Sequence, residues 1–109
     1  MNKMPENSII VTDIAGGSVK IRVLGQSLVD KMKLLGFSTI EQSMTLSVSD
    51  DQDKQKIIKK LINEGALFLY GHDWYPSEVM EYYRDQNVNF GKYKIIYWKD
   101  KDTYHIEER

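Results

Sequence analysis

The first ordered stretch of the chain, "SIIVTDIAGGSVKIRVLG", is made of two β-rich runs on either side of Gly16-Gly17. That pattern predicts a hairpin closed by a two-residue glycine turn. With the turn so placed, Ile14 faces Val19, Thr12 faces Ile21 and Ile10 faces Val23 on one apolar face. Asp13 then meets Lys20, and Val11 meets Arg22, on the other. The period lengthens in "QSLVDKMKLLGF", where Leu28, Met32 and Leu35 recur at i, i+4 and i+7. A short amphipathic helix is expected there, with Ser27 as its cap and Gly36 as its stop. Alternation returns in "STIEQSMTLSVS": Met44, Leu46 and Val48 share one side and Ser43, Thr45 and Ser47 the other, as in a strand with one wet face.

"SDDQ" from Ser49 to Gln52 matches a capping box. It leads into a helix whose buried stripe is Ile57, Ile58, Leu61 and Ile62, with Gly65 at its end. "ALFLY" is continuously apolar, which suits a strand covered on both faces. Pro76 opens a third helix, with Val79, Met80 and Tyr83 facing inward and Asn87 ending it. The last apolar run reads as a second hairpin turning at Lys99–Asp102. In that register Tyr97 faces Tyr104, Ile96 faces His105 and Lys94 faces Glu107.

These elements predict an α+β domain of about six strands and three helices in the order ββαβαβαββ, its helices packed on a mainly antiparallel sheet. The strand–helix–strand centre resembles half of a ferredoxin-like split βαβ unit. Residues 1–7 are expected to form a flexible tail and residues 8–109 a single domain.

Composition narrows the chemistry. With 109 residues, 41% apolar and 28% charged, the chain has enough material for a core without covalent or metal staples. A net charge of −1 lacks the basic excess of a nonspecific nucleic-acid binder. The absence of cysteine excludes disulfides, thiolate catalysis and cysteine-ligated metals, and fits a cytoplasmic protein. No run approaches the roughly 18 apolar residues of a membrane span, and "MNKMPENS" has no apolar core of a signal peptide.

The densest run of polar chemistry is "GHDWYP", Gly71 to Pro76. Neighbouring side chains in an extended chain point to opposite sides, so His72 and Asp73 form no natural catalytic pair. His72 and His105 are the two histidines and stand in no metal-ligand spacing. No cofactor or metal is expected. The segment reads best as a strand-to-helix turn, with Gly71 supplying an unusual dihedral and Trp74 packing over the helix start.

Aromatic residues carry the remaining signal. Of the seven tyrosines, three phenylalanines and two tryptophans, only Phe37 precedes Phe68. Tyrosine and tryptophan suit surfaces that are part wet and part buried, and they anchor protein interfaces. The expected contact surface combines Trp74, Tyr75 and Tyr82, the acidic row Glu78, Glu81 and Asp85, and the outer face of the last hairpin with Trp98 and His105. This pattern points to a non-catalytic interaction protein, a regulator or inhibitor that binds another, larger protein. A homo-oligomer is compatible with it, through an exposed edge strand or the aromatic face. One rival is a small-ligand binder or enzyme with its pocket at Gly71–Pro76. Another is a winged-helix-like nucleic-acid binder, disfavoured because Glu78, Glu81 and Asp85 outnumber Arg84 on the recognition helix.

Overall fold

The structure, a computed structural model, describes residues 8–40, 43–71, 74–100 and 103–109. Its elements are β1 (Ser8–Asp13), β2 (Ser18–Leu24), α1 (Gln26–Leu34), β3 (Ser38–Ile40), β4 (Ser43–Ser47), α2 (Asp51–Asn63), β5 (Leu67–Leu69), α3 (Pro76–Asp85), β6 (Lys94–Trp98) and β7 (Tyr104–Glu108). The seven strands form one mixed sheet in the order β3-β4-β2-β1-β5-β6-β7. The α+β class and the mainly antiparallel pairing stand. The extra strand is β3. The 38–47 segment folds on itself, Thr39 opposite Met44, where a single strand was expected. The expected tail lies outside the described residues.

The crossover through α2 differs from a ferredoxin-like centre. Strands β4 and β5 are separated by two strands, β2 and β1. The consecutive strands that lie parallel side by side are instead β5 and β6, joined through α3.

All three helices pack on one side of the sheet. Val11, Val19, Ile21, Phe68 and Ile95 point into a core shared with Met32 of α1, Ile58 and Leu61 of α2, and Val79, Met80 and Tyr83 of α3. Each apolar side chain so buried contributes about 1.5–3 kcal/mol. The opposite face carries a smaller apolar cluster, Ile10, Leu67 and Ile96, flanked by Leu69, Trp98 and Tyr104. Strand β5 is therefore covered on both faces, as its sequence predicts.

Two registers differ from expectation. In the first hairpin Asp13 does face Lys20, but a bulge follows, and Val11 faces Ile21 and Ile9 faces Val23. Thr12 is the extra residue, and its hydroxyl donates to the Lys20 carbonyl at 3.1 Å. A bulge of one residue exchanges the two faces, so Ile10 belongs to the helix-free side. Neither Gly16 nor Gly17 adopts a positive φ. The Asp13 carboxylate instead accepts from the Ala15 amide, and Lys54 Nζ from α2 donates to the carbonyls of Ile14 and Gly16 at 2.8 and 2.7 Å. The second hairpin closes one residue later than predicted, at the Lys99 amide and Thr103 carbonyl. Tyr97 accordingly faces His105, Trp98 faces Tyr104, and Lys94 faces Glu108.

The helix stops fall where the sequence places them. Gly36, Gly65 and Asn87 have φ of 107, 83 and 65°. Each donates its amide three residues back, and the next residue donates five back, closing a Schellman motif. The starts are displaced. Helix α1 begins after Gly25, not Ser27, and Asp50, not Ser49, caps α2 by accepting from the Asp53 amide at 2.8 Å.

Candidate functional site

Helix α3 is set by its two ends. Pro76 occupies the first turn, where the missing amide costs nothing, and Ser77 Oγ reaches back to the Gly71 backbone at 3.2–3.3 Å. Gly71 does not take a positive φ. Its requirement is space, since a Cβ there would lie 2.0 Å from Cδ2 of the Tyr75 ring. The unusual dihedral falls on Trp74, with φ of 73°. A left-handed backbone costs a bulky residue about 1–2 kcal/mol, and it leaves this indole 61% exposed. His72 and Asp73, the polar pair of the same turn, lie outside the described residues.

Trp74 stands edge-to-face on Tyr82, ring centroids 6.1 Å apart. Tyr82 is itself 49% exposed. Together with Glu78, Glu81, Arg84 and Asp85 they line an open concavity of about 650 Å³ on the outer face of α3. Five of the eight residues expected at a contact surface are thus brought together. Tyr75 is 46% exposed but its ring lies against Gly71 and takes no part in this lining.

The remaining two are separated by the revised hairpin register. Trp98 packs with Tyr104 and Leu69 on the helix-free face. His105 stands on the helix side, stacked on Tyr97 with centroids 4.7 Å apart and ring planes 10° apart. The surface expected to carry both residues is therefore two surfaces.

Three residues at this site were not singled out from sequence. Arg84 joins the concavity and also lies over the Tyr93 ring, 5.5 Å from its centroid. Tyr97 and Arg109 link α3 to the last hairpin. The Arg109 guanidinium donates to Glu107 at 2.9 Å, to the Tyr97 hydroxyl at 2.7 Å and to Glu81 at 3.3 Å. Glu81 is consequently neutralised in part, and Glu78 and Asp85 add two further carboxylates to the lining. No local pattern announces Arg109, because its ties to Glu81 and Tyr97 span 28 and 12 residues.

Electrostatics follow the same geometry. Hydrogen bonds from Arg109 and then Tyr97 hold the Glu107 carboxyl below its ordinary range. Desolvation, and then the bond to Glu107, push the Tyr97 phenol up. On the buried side of α3 the Tyr83 hydroxyl donates to Asp51 at 2.6 Å. Burial, and then that bond, raise its phenol well above the usual value. Among the described residues no group of three or more His, Asp or Glu converges as metal ligands would, and no helix is long and apolar enough to cross a membrane.

Comparison of the chain with family models, curated proteins and solved structures finds no match in any of the three.

Proposed function

We propose that this is a non-catalytic interaction protein whose α3 concavity receives a basic and apolar segment of a larger protein. Its role on this reading is that of a small cytoplasmic regulator or inhibitor. One observation carries the reading. Two largely exposed aromatic rings, Trp74 and Tyr82, stand in contact beside the carboxylates of Glu78 and Asp85. An aromatic face attracts a guanidinium or ammonium group, the adjacent carboxylates add to that attraction, and the ring bodies cover apolar stems.

The test is calorimetric titration with short Lys/Arg–Leu peptides and with acidic counterparts of the same length. Basic peptides are expected to bind saturably and to weaken with added salt. Trp74→Gly relieves the positive φ, so the variant stays folded, and with Tyr82→Ala it is expected to abolish binding. Trp98→Ala, on the opposite face, is expected to leave binding intact. Unchanged affinity in the folded Trp74→Gly/Tyr82→Ala variant refutes the assignment of this surface.

A further inference from the structure

Among the described residues the sheet has two edges, β3 and β7. The first is only three residues long, a common way of blunting an edge. The second is five residues, "YHIEE", with neither proline nor lysine, and no bulge interrupts its pairing with β6.

The hydrogen bonds of the last hairpin fix which groups of β7 point outward. Tyr93 and Arg109 exchange both backbone bonds, and the Lys99 amide donates to the Thr103 carbonyl. In an antiparallel ladder such pairs recur every second residue. His105 and Glu107 therefore turn their backbone groups toward β6, whereas Tyr104, Ile106 and Glu108 turn theirs away from the sheet.

We propose that β7 pairs antiparallel with β7 of a second copy of this chain, about a two-fold axis through Ile106. Only outward-pointing residues can form the hydrogen-bonded pairs, which restricts the register. With the axis at Ile106, Tyr104 bonds to the partner's Glu108 and Ile106 bonds to its own copy, so the whole strand is used. Moving the axis to His105 or to Glu107 shortens the overlap. The second of these also sets the Glu107 carboxylate against itself.

The side chains agree with the full-length register. Around Ile106 the strand reads Tyr-His on one side and Glu-Glu on the other. Antiparallel self-pairing lays each half on its complement. His105 meets the partner's Glu107 on the helix side, an opposite-charge cross-strand pair when the imidazole is protonated and a hydrogen-bonded one otherwise. Glu107 accepts from Tyr97 and Arg109 through Oε1 in both bonds, so its second oxygen is the one offered to the histidine. On the helix-free side the two Ile106 side chains, each 42% exposed in the single chain, cover one another. This isologous contact shares no residue with the lining of the α3 concavity.

Sedimentation equilibrium of the full chain over a wide concentration range tests it, with backbone hydrogen exchange read at both ends of that range. The weight-average mass is expected to rise toward twice the chain mass. The amides of Tyr104, Ile106 and Glu108 should slow with concentration, while those of His105 and Glu107 stay protected throughout. Ile106→Lys and His105→Glu are expected to remain monomeric, and His105→Lys to dimerise. A chain that is monomeric at every concentration overturns the proposal. So does a dimer that survives both disruptive substitutions, or one in which the outward amides exchange as fast as in the monomer.

Discussion

Tyr83 joins the core and the surface in one side chain. Its ring lies edge-to-face with both Tyr82 and Phe90, and its hydroxyl reaches Asp51 at the start of α2. The phenol is raised in the folded chain, by burial first and by the carboxylate second. In the unfolded chain a tyrosine titrates near pH 10. Folding therefore favours the protonated form. The stability it contributes is complete below about pH 10 and declines as pH rises from there toward the folded value. Tyr83→Phe removes a hydrogen bond to a charged acceptor and is expected to cost about 1–2 kcal/mol at neutral pH. It should also flatten the alkaline decline. Urea unfolding of both proteins at neutral pH and above about pH 10 checks the two effects together, and an equally steep decline in the variant would exclude Tyr83 as its source.

At the scale of elements, what was legible in the sequence is what a local dihedral decides. Gly36, Gly65 and Asn87 end their helices because a positive φ is cheap for those residue types. The stripe Ile57, Ile58 and Leu61 follows from periodicity alone. Helix starts were harder to place, because Ser49 and Asp50 are adjacent and both can cap. The structure uses each: Asp50 takes the Asp53 amide, and Ser49 Oγ donates to the Asp53 carboxylate. Asp50→Ala is accordingly expected to lower stability by about 1 kcal/mol and Ser49→Ala by clearly less, in a thermal or urea comparison of the two variants. Strand registers were the least legible. A bulge at Thr12 and a hairpin closing at Thr103 each shift one strand by one residue. No local preference demanded either. The cost to the site was specific: Trp98 and His105, expected on one surface, stand on opposite faces of the sheet.

The whole molecule resolves the uneven distribution of aromatics. Phe68, Tyr83 and Tyr93 are buried among the core residues, whereas Trp74, Tyr75 and Tyr82 stand exposed around α3. The aromatic half therefore builds both the core and the candidate surface. Apart from β3, the element order was legible in the sequence. The strand order was out of its reach, because a crossover that skips two strands leaves no mark in local periodicity. Strand β1 holds the centre of the sheet, antiparallel to β2 on one side and parallel to β5 on the other.

That β1–β5 seam has a consequence in time. On one side of it lie β1 to β4, all paired antiparallel, and on the other lie β5 to β7. The halves meet through two registered pairs, Ile10 with Leu67 and Val11 with Phe68, whose members are far apart along the chain. Closing so long a loop spends entropy before any contact repays it. Joining the halves is then expected to be the slow step of folding. Phe68→Leu, in the seam, is expected mainly to slow refolding, with a φ-value above about 0.5, and Tyr104→Ala at the far edge mainly to speed unfolding. Stopped-flow chevrons of the two variants decide the order of events, and a fast-refolding Phe68→Leu would place the joining of the halves after the barrier.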